Sequence, residues 1–305
     1  MKLVSYGPFG AERAGFLDGA QIVDLESSLS LLGVVNPPSD MRVFLEGADW
    51  RAILDRAWER RTEALRVDVD SVRLGAPVPL PRKLLIAGAN TKSHIAEAVS
   101  VLKVAVAPKE PMILAKATSS ICGPYDDVVH PPETAKLDYE VELGVVIGKI
   151  CRRISTSEVR AHVAGFTVIN EMSARDIQLA EHEENPFFRV HFLGKSFDTF
   201  NPMGPALVTV DEFVWNKPLK LTTTVDGQLR QQDDTTDLYF GVEELISYIS
   251  QTLTLFPGDV IATGSPAGVG NFMNPPGFLK PGQVVTCEIE GVGIIRNRII
   301  AEDVT

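Results

Sequence analysis

Apolar positions change rhythm along this chain. Residues 2–5 and 14–23 carry short strand-like runs, the second holding Asp18-Gly19, which turns readily because glycine tolerates positive φ. Residues 40–46 and 49–65 then read as helices; in the second, Ile53, Leu54, Trp58 and Leu65 form one stripe with Arg and Glu opposite. The run APVPLP, residues 76–81, blocks helix and ladder alike. It marks a boundary between a small N-terminal α/β domain, 1–75, and a larger domain, 80–305. Beyond it strands dominate, predicted at 84–87, 112–115, 139–147, 164–169, 206–210, 219–225, 259–262, 284–289 and 294–300. Asp226-Gly227 marks a second hairpin, and helices are expected at 93–99, 157–162, 172–182 and 242–250. Without regular βαβ alternation the fold class is α+β, mostly β.

Composition narrows the partners. With 305 residues and 45% hydrophobic content the chain can bury a large core, which excludes disorder. A formal net charge of −11 sets it against phosphate backbones and anionic lipid, so neither nucleic acid nor a membrane is an expected partner. The opening MKLVSYGPFG lacks the apolar core of a secretion signal, and no apolar run reaches the ~18 residues of a spanning helix. Cys122, Cys151 and Cys287 are odd in number, far apart and without CxxC spacing, which predicts no disulfide framework and a cytoplasmic location.

Five segments could carry chemistry. In LDYEVELGVVIG (137–148), strand alternation puts Glu140 and Glu142 on one face and Tyr139, Val141 and Leu143 on the other. That face is either solvated or, since the strand turns wholly apolar after Leu143, drawn inward as a site for Mg2+, Mn2+ or Ca2+. In INEMSARDIQLAEH (169–182), Glu171, Arg175, Gln178 and His182 fall on one helical stripe. It is either an exposed face or the source of a third carboxylate with polar neighbours. In LLIAGANTKSHIAEA (84–98), His94 and Glu97 are adjacent on a helix, a surface pair or a general-base dyad. Lys195, flanked by Phe192, Leu193 and Phe197, is either solvated or a desolvated ammonium able to polarise a carbonyl. The glycines of FPGDVIATGSPAGVG (256–270) make a tight turn or bring N–H groups to a ligand oxyanion. GxGxxG and P-loop spacings are absent, which removes dinucleotide and phosphate-loop readings.

In their order, GANTKSHIAE, LDYEVELGVVIG, NEMSARDIQ, GKSFDTFNPMGP, DGQLRQQDDTTDLYF and PGDVIATGSPAGVG resemble the fumarylacetoacetate hydrolase family over residues 80–300. The resemblance implies a mixed β-sandwich roll behind a small N-terminal domain, in a homodimer. It implies Glu140, Glu142 and Glu171 as ligands of Mg2+ or Mn2+, His94 and Glu97 as acid/base dyad on a lid-like helix, and Lys195 beside the substrate oxygen. Arg175, Gln178 and Ser265 would line the pocket. This chain departs from the family pattern in having Glu171 for the usual Asp, Thr91 for the usual Tyr and Ser265 for the usual Thr. Its 181–189 connection is also longer than usual. The implied activity is metal-dependent hydrolysis of a C–C bond in a 2,4-dioxo acid, an acylpyruvate or a diketo-deoxy sugar acid. Decarboxylation of oxaloacetate and isomerisation of a 2-hydroxy-dienedioate use the same electron sink. A reading of another class is a metal-free, non-catalytic binding protein.

Overall fold

Strand Val141–Ile147 decides the architecture, because all seven residues are buried and so both its faces need cover. In the computed structural model, which describes residues 1–102, 108–181, 184 and 190–303, its faces go to different cores. Leu143, Val145 and Ile147 pack with Phe166, Leu221, Val285 and Ile295, between two sheets. Val146 packs instead with Trp50, Leu54 and Leu207, under the N-terminal helices.

The long sheet runs Arg66–Asp68, Gln21–Asp24, Arg13–Asp18, Lys2–Tyr6, Asn201–Thr209, Val163–Asn170, Val141–Ile147, Val260–Ala262, Leu84–Gly88, Met112–Lys116. The second runs Gln228–Asp234, Lys220–Val225, Val284–Ile289, Gly293–Ala301, Val128–His130. Mostly antiparallel strands with a few helices give the α+β, sheet-rich sandwich expected from the pattern. The N-terminal region joins the long sheet directly, Lys2 pairing with Val208 and Leu3 with Leu207. The proline-rich stretch between is packed: Val78 is fully buried and the Pro77 carbonyl accepts the Ser5 hydroxyl at 2.8 Å.

Several elements differ from expectation. The helix of 49–65 ends early, as Trp50–Glu59, and that of 157–162 is only a 3-10 turn, Val159–Ala161. In place of a helix over 172–182, Ser173–Ala174 is extended and pairs with Leu137–Asp138, leaving a single turn, Arg175–Gln178. His182 lies outside the described residues, as does most of the 181–189 connection. Unforeseen elements include helix Leu25–Leu31, capped by Asp24, and helix His191–Lys195, which carries the Lys195 side chain inward.

Candidate active site

Strand pairing brings the carboxylates together. Val141 sits opposite Asn170 and Glu142 opposite Ile169, so Glu171 emerges beside Glu140 and its N–H donates to the Glu140 carbonyl at 2.8 Å. One oxygen from each of Glu140, Glu142 and Glu171 lies within 4.8 Å of the others. With 6%, 2% and 0% exposure, none is a solvated surface residue, and the exposed-face readings of both segments fail here.

Buried cations answer them. The Lys195 ammonium bridges Glu140 and Glu171, lying 3.3 Å from Glu140 Oε2, closer still to Glu171 Oε2, and 2.9 Å from Ser173 Oγ. Arg175 Nη2 bonds Glu140 Oε1, its Nε bonds Asp138 Oδ2 at 2.8 Å, and its Nη1 bonds Gln178 Oε1 at 3.1 Å. The stripe Arg175–Gln178 thus faces inward, and Gln178 reaches on toward His191 Nδ1 at 3.4 Å. Lys116 was not anticipated. Fully buried at the end of strand Met112–Lys116, it donates to Glu171 Oε1 at 2.8 Å and to the carbonyls of Met172 and Phe200. A lysine closing an apolar strand was the available signal, since an unpaired ammonium does not stay buried.

The charges are uneven. Asp138, Glu140, Glu142 and Glu171 are buried against Lys116, Arg175 and Lys195. Burial opposes ionisation of Glu140, but Arg175 and Lys195 overcome it and hold its pKa well below the usual carboxylate range. Glu142 goes the other way: burial, then repulsion from Glu171 and Glu140, push it well above that range, against one hydrogen bond from the Gly264 N–H at 2.7 Å. Burial also lowers the Lys116 pKa despite Glu171, whereas at Lys195 the two glutamates outweigh burial and raise it. Three converging carboxylates, one with no cation bonded to it among the described residues, form an oxygen set that fits a hard divalent ion.

His94 and Glu97 lie on helix Lys92–Leu102, close by but not in the ion-paired cluster. His94 Nδ1 comes within 3.4 Å of Glu97 Oε2 but is misdirected for a hydrogen bond, and the ring rests against Phe272 with centroids 5.5 Å apart. Glu97 instead receives the Gly268 N–H, at 3.1 and 3.2 Å from its two oxygens. Gly268 has φ +101°, and a Cβ there would lie 2.1 Å from the Arg230 carbonyl, so only glycine fits. In the same turn the Ser265 hydroxyl accepts from Gln231 Nε2 at 2.8 Å and the Ser265 carbonyl accepts from Thr91 Oγ1 at 2.6 Å. One turn therefore touches the carboxylate cluster through Gly264 and the dyad helix through Thr91 and Gly268. Asp138 and Gln231, both wholly buried, also escaped the sequence reading, Gln231 because it lies in the polar run QLRQQDD.

Residues 83–300 match the fumarylacetoacetate hydrolase C-terminal domain. The chain belongs to the fumarylacetoacetate hydrolase family. Members similar to it include the mitochondrial oxaloacetate tautomerase FAHD2B of Bos taurus, 42% identical over 93% of this chain and 85% of the relative. The human mitochondrial oxaloacetate tautomerase FAHD2A is 44% identical over 86% of this chain and 80% of its own. Among solved family structures, a fumarylacetoacetate hydrolase from Exiguobacterium antarcticum superposes with a TM-score of 0.79 at 33% identity, covering 99% of this chain and 100% of that one. Maleylpyruvate hydrolase from Sphingobium sp. SYK-6, solved with manganese(II) and pyruvate, gives 0.77 at 26% identity with the same coverage. The chain is accordingly an enzyme of a family that acts on oxo acids.

Proposed function

We propose that this enzyme uses a divalent ion, Mg2+ or Mn2+, to enolise a small 2-oxo acid, with oxaloacetate the first substrate to test. The observation that carries the reading is the convergence of Glu140, Glu142 and Glu171 with Lys195 between two of them. Held by those carboxylates, the ion would supply Lewis-acid stabilisation of an oxygen anion. Lys195, buried beside two of the glutamates, would add a fixed positive charge where negative charge develops on the substrate oxygen. Arg175 and Gln178 would orient the substrate carboxylate, and the Ser265 turn would close the pocket. His94, with Glu97 beside it, would remove and return the proton on the carbon next to the carbonyl.

The names of the similar mitochondrial proteins support tautomerisation of oxaloacetate, and decarboxylation of the same acid draws on the same groups. C–C hydrolysis of a 2,4-dioxo acid is the second reading, supported by the likeness to maleylpyruvate hydrolase. His94 would then activate water against the distal carbonyl. Isomerisation of a 2-hydroxy-dienedioate is a further variant, supported by the names of solved neighbours. Homodimer assembly and a cytoplasmic location belong to the same proposal, with sedimentation and cell fractionation as their tests.

The deciding experiment incubates the protein with oxaloacetate and with an acylpyruvate, with Mn2+ and with EDTA, following enol absorbance and products. We expect Mn2+-dependent enol–keto conversion of oxaloacetate. Cleavage of the acylpyruvate alone would favour the hydrolase, and Mn2+-independent silence on both would favour a non-catalytic binding protein.

A further inference from the structure

The end of the motif DGQLRQQDDTTDLYF, residues 236–240, has no part in the chemistry above, yet it lies against the dyad helix. Helix Lys92–Leu102 opens with N–H groups that have no partner within the helix. Thr91, just before it, is a residue type that commonly caps such an end, but its hydroxyl is turned away to the Ser265 carbonyl. The cap comes from 144 residues away. Both Asp237 carboxylate oxygens accept the Ser93 N–H, at 3.2 and 3.1 Å, and Oδ2 also accepts the Ser93 hydroxyl at 2.6 Å.

Around that contact the strap 236–240 follows residues 90–93. Lys92 Nζ donates to the Thr236 carbonyl at 2.9 Å, Thr91 bridges Leu238, and Asn90 exchanges hydrogen bonds with the Phe240 backbone. Ser93 Oγ, while donating to Asp237, accepts the Ala267 N–H at 3.1 Å. Ser93 precedes His94, and Ala267 precedes the Gly268 that holds Glu97, so one hydroxyl fixes the approach of both dyad residues.

We propose that Asp237, acting through Ser93, is a positioning residue that sets the His94–Glu97 helix over the carboxylate cluster. The inference rests on the enzymatic reading for its kinetic consequence but not for its structural one. An anionic cap suits a helix N-terminus, where backbone dipoles leave positive charge. A displacement of about 1 Å in a group that moves a proton can cost on the order of 100-fold in rate.

The test compares wild type, Asp237→Ala, Asp237→Asn, Ser93→Ala and the Asp237→Ala/Ser93→Ala double variant. It uses amide hydrogen exchange over residues 92–98, Mn2+ calorimetry and steady-state kinetics. Asp237→Ala should speed exchange in that segment and lower kcat about 10- to 100-fold, with KM changed by less than about 3-fold. Mn2+ affinity should stay at the wild-type value. Asp237→Asn keeps an acceptor and should recover most of the exchange protection, and the double variant should lose less than the sum of the two single effects, since both single variants break the same hydroxyl–carboxylate bond. Wild-type exchange and kcat in Asp237→Ala would overturn the clamp, as would a parallel loss of Mn2+ affinity and melting temperature in every variant. Should wild type turn over no 2-oxo acid, the functional reading falls while the exchange data still decide the clamp.

Discussion

Asp24 and Glu142 are both carboxylates shut away from water, at 0% and 2% exposure, yet their surroundings are opposites. Asp24 receives the Tyr6 hydroxyl at 2.6 Å, Arg13 Nε at 2.9 Å and the Ser27 N–H at 2.7 Å, joining two strands to the helix it caps. Glu142 receives one backbone N–H among the described residues and faces two other glutamates. A buried charge whose neighbours all serve it is part of the scaffold. One left short of partners in a preorganised cluster marks where a ligand is to supply what is missing.

The largest effect that sharpens this contrast belongs to Lys116→Met. Removing one member of a buried pair leaves Glu171 with less counter-charge, so unfolding stability should fall by about 3–5 kcal/mol. Mn2+ affinity should weaken by roughly 10- to 100-fold, because a group orienting a ligand is lost. Denaturant titration and calorimetry read both, and unchanged Mn2+ affinity would mean that Lys116 does not orient Glu171.

Next comes pH. Because the Glu142 pKa is raised in the folded protein, its proton must leave for the carboxylate to ligate. Mn2+ affinity should therefore rise with pH, by up to about tenfold per unit, and level off above the Glu142 pKa. Without metal the sign reverses for stability. The contribution of Glu142 is intact below about pH 4.3, its unfolded value, and declines as pH climbs through the raised folded value. Glu142→Gln should flatten the affinity profile, and a profile as steep as wild type in that variant would assign the proton elsewhere.

The smallest effect on metal binding lies in the other region. Asp24→Ala removes a helix cap and leaves the Tyr6 hydroxyl and Arg13 without their buried acceptor, which should cost about 2–4 kcal/mol of stability while leaving Mn2+ affinity untouched. A shift in metal binding there would erase the distinction between the two centres.

How far the sequence carried depended on whether side chains answered local or distant partners. Alternation separated Tyr139, Val141 and Leu143 from Glu140 and Glu142, and the sandwich core takes the first set while the second turns to the cluster. The helix at 242–250 is present as Val242–Thr252, since its apolar stripe is a local property. Lys116 and Gln231 stayed hidden because their partners, Glu171 for one and Ser265 and the Val141 N–H for the other, are set by strand order. The stripe from Glu171 to Gln178 was legible as polar but not as buried. Its first residues are taken from helix into a bridge with Leu137–Asp138.

The seam between Lys2–Tyr6 and Asn201–Thr209 has its own consequence. With the opening strand in place, the backbone around Leu207 and Val208 is matched and closed to other chains. Trimmed at the prolines, the larger part would lose the cover of Trp50 and Leu54 over Val146 and bare unmatched amides and carbonyls, an invitation to fibrous self-association. The first 75 residues are thus the hem of the catalytic fabric, and the two cannot be parted cleanly.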